Sequence, residues 1–163
     1  MHLPQVTFQF RHKQRWIEVP SLSLFHNKRA VVFALPGAFT PTCSTKQLPG
    51  YDEKYPEFMK YVDEVYCLSV NDSFVMNAWF RDLNVQNVKP IPDGSGEFTF
   101  AMGMSVNKAN LGFGFRSWRY AMVVNNGEIE IMFEEPGKVG NCPIDPYERS
   151  NPETVLKWLE ENQ

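Results

Sequence analysis

The chain has 163 residues, of which 43% are hydrophobic and 14% aromatic, so we expect one globular domain over residues 1–163. Sixteen basic residues stand against nineteen acidic ones, and the net charge of −3 provides no broad positive field for nucleic acid. The longest apolar stretch, residues 30–39, is well short of the roughly 20 residues that a membrane helix needs and contains Pro36, so no membrane span is expected.

The first part of the chain predicts a hairpin followed by a buried strand. Apolar and polar residues alternate over residues 6–10 and 15–19, and the basic run of residues 11–13 between them is typical of a solvated tip. The chain does not open with a basic stretch followed by an apolar one, so no secretory signal is expected and a cytoplasmic protein is favoured. Residues 30–35 form a continuous apolar run, which predicts the central strand of a sheet covered on both faces.

The rest of the chain alternates strands with helices. Further strands are predicted at residues 65–70, 120–124 and 128–133, and helices at residues 73–83 and from Pro152 to residue 163. Asn126 and Gly127 tolerate positive φ and predict a two-residue turn between the last two strands. Asn151 is suited to cap the final helix, with Pro152 at its first position. This order predicts an α/β protein of thioredoxin-like fold, with a central mixed sheet and helices on both faces.

Three cysteines are the candidates for metal, disulfide or redox chemistry. Cys43, Cys67 and Cys142 are widely spaced, without a CxxC pair or a histidine cluster, so no metal or cofactor is expected. Their odd number in a reducing compartment argues against a disulfide framework. Cys67 belongs to an apolar strand and is predicted to be buried, whereas Cys142 lies in a Gly- and Pro-rich stretch typical of a mobile surface loop.

The segment PGAFTPTCS, residues 36–44, follows the central strand where the chain leaves the sheet and begins a helix. With Thr40 as N-cap and Pro41 at the first helical position, Cys43 falls within the first turn. Backbone N–H groups without a partner inside the helix face this position and favour the thiolate. Thr40 is expected to hold the Cys43 amide or sulfur through its hydroxyl, and Pro36 to stiffen the loop. Cys43 is therefore predicted to be a nucleophile.

Pro36, Thr40 and Cys43 match the PxxxTxxC signature of the peroxiredoxins, thiol peroxidases that the chain resembles over nearly its whole length. The blocks SVNDSFVMNAW, IPDGSGEFT and GFGFRSWRYAMVV resemble the type II branch, including the peroxidase domain of bacterial peroxiredoxin-glutaredoxin hybrids. The resemblance implies that Arg119, rather than its neighbour Arg116, activates the cysteine and binds peroxide. Gln47 departs from the histidine that many type II members carry four residues after the cysteine.

The same resemblance implies that Cys43 reduces hydrogen peroxide or alkyl hydroperoxides and becomes a sulfenic acid. Two routes that would return the sulfenic acid to the thiol remain open. Cys142 closes a transient disulfide with Cys43, which thioredoxin reduces, or glutathione attacks the sulfenic acid directly, with or without glutaredoxin. A homodimer with aromatic side chains near the thiol is also implied.

An alternative function is peroxide sensing or a holdase role, which needs only the reactive cysteine. The complete set of Pro36, Thr40, Cys43 and Arg119 favours the enzyme.

Overall fold

The computed structural model describes residues 1–163, which form a mixed sheet covered on both faces. The strands are β1 (Thr7–His12), β2 (Arg15–Pro20), β3 (Arg29–Leu35), β4 (Glu64–Ser69), β5 (Lys89–Pro92), β6 (Ser105–Asn107), β7 (Phe115–Ser117), β8 (Tyr120–Asn125) and β9 (Glu128–Glu134). The α-helices are α1 (Ser21–Phe25), α2 (Leu48–Glu53), α3 (Tyr55–Phe58), α4 (Ser73–Asp82), α5 (Glu97–Ala101) and α6 (Pro152–Glu161). A π-helical turn spans Cys43–Gln47, and a 3-10 turn spans Ala109–Leu111.

The central sheet has five strands in the order β5-β4-β3-β8-β9. Strand β3 runs parallel to β4 and antiparallel to β8, so the sheet is mixed, as the sequence predicts. Every residue of β3 after Arg29 is buried, because layers cover both faces of this strand. The β1-β2 and β6-β7 hairpins form separate two-stranded sheets.

Alternate residues of β3 point into two different hydrophobic clusters, as the period of a strand requires. Val31, Phe33 and Leu35 belong to the first cluster, where the buried side chains of α2, α3, α4 and α6 pack. The second cluster receives Ala30, Val32 and Ala34 together with side chains of α1, α5 and the first hairpin. The predicted placement of helices on both faces is therefore confirmed, although the second face carries only short ones. No helix combines the length and apolar character that a membrane span requires.

Most predicted elements lie within one or two residues of their observed bounds. Asn126 and Gly127 have φ of 49° and 83° and form the predicted turn, and the Asn151 side chain accepts a hydrogen bond from the Thr154 amide at the start of α6. The tip of the first hairpin is different from the prediction. Lys13 and Gln14 adopt positive φ and make the turn, so Arg11 and His12 belong to β1.

Candidate active site

The candidate site lies at the carboxyl end of β3, on the loop that leads to the helix of residues 41–53. Residues 36–38 of this loop are buried, and the Ala38 amide donates to the Asn71 side chain just beyond β4, at 3.0 Å. Because β8 runs antiparallel to β3, its first residue, Tyr120, pairs with Ala34 near the end of the central strand. The topology thus brings Arg119 to the loop from a distant part of the sequence.

Cys43 lies in the first turn of the helix, as predicted, but this turn is π-helical. The Leu48 amide donates to the Cys43 carbonyl five residues earlier, and α2 continues from there. Such wide turns are rare in helices and frequently occur at functional sites. The indole Nε1 of Trp79 in α4 holds the turn by donating to the Ser44 hydroxyl at 2.9 Å.

Thr40 precedes the helix, and its hydroxyl donates to the Gly37 carbonyl at 2.7 Å. This differs from the contact with the Cys43 amide or sulfur that the sequence suggests. The hydroxyl closes the loop on itself, which fixes the residues between Pro36 and the helix. Phe39 within this loop has a φ of 64°, a conformation that bulky residues rarely adopt, and its ring is exposed.

Arg119 approaches the thiol directly. Its Nη1 lies 3.5 Å from the Cys43 sulfur and also donates to the Gln47 side-chain oxygen. Cys43 and Gln47 are fully buried, and Arg119 is 1% exposed. The guanidinium and the sulfur are therefore paired in a site screened from solvent, where a charge interaction is stronger than in water. Gln47, at the position where the sequence departs from the expected type II pattern, thus contacts the arginine.

Arg116 serves the loop rather than the sulfur. Its Nη1 donates to the Pro36 carbonyl at 3.0 Å. The same Nη1 lies next to Gly37, so a side chain at position 37 would collide with it. Burial lowers the pKa of Arg116 below its usual value, and the nearby Cys43 opposes this effect. For Arg119 burial acts in the same direction, but Cys43 and Asp145 outweigh it and raise the pKa above the usual value. Both guanidinium groups remain charged at neutral pH.

Two further residues of the site come from the loop between β9 and α6, and sequence reasoning missed both. Arg119 Nη2 donates to the carboxylate oxygens of Asp145 at 2.7 and 2.8 Å, and the Tyr147 ring lies 5.6 Å from the guanidinium carbon. A loop has no periodicity that would reveal which side chains point inward. The sequence signal is limited to an acidic residue set between Pro143 and Pro146.

The other two cysteines occupy different clusters. Cys67 in β4 is fully buried in the same hydrophobic cluster as Cys43. Burial, and after it the proximity of Cys43, raises the pKa of Cys67 well above its ordinary value, so it stays a thiol. Cys142 is 8% exposed and packs in the second cluster, on the other face of the sheet, although its neighbours Asn141 and Pro143 are exposed. All three cysteines are free.

Comparisons with known proteins identify the family. The Redoxin family model matches residues 10–156. The hybrid peroxiredoxin hyPrx5 of Haemophilus influenzae is 54% identical over 96% of this chain, which covers 64% of that protein's length. The chain belongs to the peroxiredoxins. Peroxiredoxins are thiol peroxidases, so the protein is an oxidoreductase of this class, and the predicted resemblance to the type II branch and its hybrids is confirmed.

Solved peroxiredoxin structures share the fold closely. A Plasmodium falciparum antioxidant protein, a 1-Cys peroxiredoxin, superposes with a TM-score of 0.95 at 35% identity, covering 99% of both chains. Reduced Prx3 of Vibrio vulnificus in complex with hydrogen peroxide gives a TM-score of 0.88 at 39% identity, covering 98% of this chain and 96% of that one. The predicted thioredoxin-like architecture is thereby confirmed.

Proposed function

We propose that this peroxiredoxin reduces hydrogen peroxide and alkyl hydroperoxides through Cys43. The observation that carries the proposal is the 3.5 Å contact between Arg119 Nη1 and the Cys43 sulfur inside a buried site. The thiolate attacks the terminal peroxide oxygen, the S–O bond forms as the O–O bond breaks, and the sulfur is oxidised to a sulfenic acid. The leaving oxygen takes both electrons of the broken bond and a proton from solvent, giving water or an alcohol.

The remaining residues prepare this step. The Arg119 guanidinium donates to the peroxide oxygens as charge develops on the leaving one, and electrostatic stabilisation of this kind is often the largest contribution to catalysis. Two hydrogen bonds set the loop conformation. The Thr40 hydroxyl donates to the Gly37 carbonyl, and the Pro36 carbonyl accepts from Arg116. The relative from Vibrio vulnificus, solved with hydrogen peroxide, supports this choice of substrate.

A one-cysteine cycle, with glutathione and glutaredoxin as reductants, is the recycling route that we favour over a disulfide with Cys142. Cys142 is held in the hydrophobic cluster on the face of the sheet opposite to Cys43, so a disulfide between them would require the β9-α6 loop to leave that cluster. Glutathione instead attacks the sulfenic acid, releases water and forms a mixed disulfide, which a second thiol reduces. The structural similarity to a 1-Cys peroxiredoxin supports the same route.

The test is intact-mass analysis of Cys43→Ser, Cys142→Ser and wild-type protein after one equivalent of hydrogen peroxide, with dimedone as the trap. We expect a dimedone adduct on Cys43 in the wild type and in Cys142→Ser, and none in Cys43→Ser. A wild type that loses two hydrogens without an adduct, with this change abolished in Cys142→Ser, would make Cys142 the resolving residue and thioredoxin the expected reductant. An unreacted Cys43 in the wild type would refute the peroxidase proposal itself.

A homodimer in the cytoplasm is the setting that we propose for this reaction. Phe100 and Phe115 are 77% and 66% exposed and line one cavity, and Phe39 on the active-site loop is 54% exposed. An exposed surface that brings several aromatic side chains together is typical of an association surface. Three free cysteines and no disulfide fit a reducing compartment.

A further inference from the structure

Asp145 reaches the candidate site from the surface of the β9-α6 loop. Its side chain is 47% exposed, while the Arg119 side chain that it contacts is 1% exposed. Both carboxylate oxygens accept from Arg119 Nη2, at 2.7 and 2.8 Å. We propose that Asp145 is a positioning residue for peroxide reduction, which holds the Arg119 guanidinium in the orientation that serves Cys43. This inference rests on the proposed function of Cys43.

The guanidinium is held from two sides. Nη1 contacts the Cys43 sulfur and the Gln47 oxygen, and Nη2 contacts the Asp145 carboxylate. The group is planar, so fixing both terminal nitrogens fixes the direction of every N–H bond. Nε of Arg119 is buried and has no partner within the protein. Without the Asp145 carboxylate, Nη2 would lose two charge-assisted hydrogen bonds, which one neutral amide oxygen does not replace, and the plane could rotate about the side-chain bonds.

The loop that supplies Asp145 is itself anchored. The Glu135 carboxylate, just after β9, is fully buried and accepts from the backbone amides of Glu148, Arg149 and Ser150, at 2.7 to 3.1 Å. The Ser150 hydroxyl donates to the same carboxylate at 2.6 Å, and the Ser150 carbonyl accepts from the Tyr51 hydroxyl of α2, also at 2.6 Å. Asp145 therefore projects from a segment fixed a few residues away, which suits a group that must orient another.

Orientation matters here because Arg119 has to meet the oxygen on which negative charge develops. Donors aligned before the reaction stabilise that charge without reorganisation, and small displacements of an aligned group cost about ten- to a hundredfold in rate. Removing the Asp145 carboxylate is therefore expected to slow the peroxide step about tenfold. A neutral alkylating agent does not use the guanidinium in this way, so its reaction with Cys43 should change little.

The experiment compares two second-order rate constants for Cys43, with hydrogen peroxide and with iodoacetamide, in wild type and Asp145→Asn. We expect the peroxide rate to fall about tenfold and the alkylation rate to change less than about twofold. Asp145→Glu, which keeps the carboxylate, should recover most of the peroxide rate. Glu148→Gln is the matched control, because it removes one negative charge from the same loop at an exposed position and should match the wild type.

A second comparison tests whether Asp145 acts through Arg119. In an Arg119→Lys background, adding Asp145→Asn should lower the peroxide rate by less than about twofold. The proposal is overturned if Asp145→Asn reacts with peroxide at the wild-type rate, if both rate constants fall together, or if the full effect persists in the Arg119→Lys background. A faster alkylation with an unchanged peroxide rate would mean that Asp145 only closes the loop. Failure of the wild type to react would instead refute the role of Cys43.

Discussion

In the β9-α6 loop, single residues stabilise the fold and also hold the candidate site in place. Glu135 is the clearest case, since a buried carboxylate is tolerated only when hydrogen bonds replace its hydration. Three backbone amides and a hydroxyl supply them. The side chain thus gathers the donors of residues 148–150 into one place, just before Asn151 caps α6.

Replacing Glu135 with Gln is expected to destabilise the protein by roughly 2 to 3 kcal/mol, because an amide NH₂ would then face backbone donors that lose their charged acceptor. Urea unfolding followed by circular dichroism measures the change. Glu134→Gln is the matched control, since the adjacent Glu134 makes a partly exposed pair with Lys138 at 3.4 Å. That pair contributes no more than about 1 kcal/mol. Equal losses in both variants would contradict the role assigned to Glu135.

At this scale the sequence predicts Cys43 from the signature around it and Arg119 from the resemblance to the type II branch, and the structure places the two side chains 3.5 Å apart. It does not identify Asp145 or Glu135 as partners. Their contacts depend on how a loop without periodicity folds back across the sheet, which no local pattern records. The hydrogen-bond partner of the Thr40 hydroxyl was also predicted wrongly. A hydroxyl near the start of a helix has several possible partners within reach, and the structure shows that this one donates to the Gly37 carbonyl.

Among the structural elements, α5 begins at an unusual cap. The buried Asp93 carboxylate accepts from the amides of Phe98 and Thr99, at 3.2 and 2.8 Å, and from the Thr99 hydroxyl at 2.7 Å. Burial raises the pKa of Asp93 above its usual value, although the hydrogen bonds from Thr99 and Phe98 act to lower it. The folded protein therefore holds this proton more tightly than the unfolded chain does.

The stabilising contribution of Asp93 should consequently be fully present below the ordinary aspartate pKa of about 4 and should be lost as the pH rises through the higher folded-state pKa. We expect the difference in unfolding free energy between wild type and Asp93→Asn to be greater at about pH 4.5 than at pH 7. Asn151→Ala, which removes a cap that does not titrate, controls for other effects of pH. A difference that grows toward neutral pH would contradict the expectation.

The long strands and the two ten-residue helices were predicted from the sequence, because each is long enough to show its period. The short elements α1, α3, α5, β5, β6 and β7 were not. Segments of three to five residues span at most about one helical turn or two strand repeats, and tertiary contacts decide their conformation. The π-helical turn escaped prediction for the same reason.

For the molecule as a whole, the proposed dimer can be tested through its exposed aromatic surface. Phe115→Ser should shift the protein from dimer to monomer in light scattering coupled to size-exclusion chromatography, since it removes a large apolar group from the proposed contact surface. Leu22→Ser, at a 54% exposed position of α1, should leave the dimer intact. A wild type that elutes as a monomer, or a Phe115→Ser variant that stays dimeric, would rule out this surface.

The charges around the Cys43 sulfur determine whether the site attracts peroxides and reductants from a distance. With Cys43 as a thiolate, its negative charge and that of Asp145 balance the positive charges of Arg119 and Arg116. A balanced site projects little field beyond the Debye length of about 8 Å at physiological salt, so it neither steers nor repels what diffuses past. The arrival of neutral peroxides is unaffected, because a net charge at the site would not attract them. An anionic reductant such as glutathione gains no long-range attraction from the site, so its capture depends on the surrounding surface or on a second protein that delivers it.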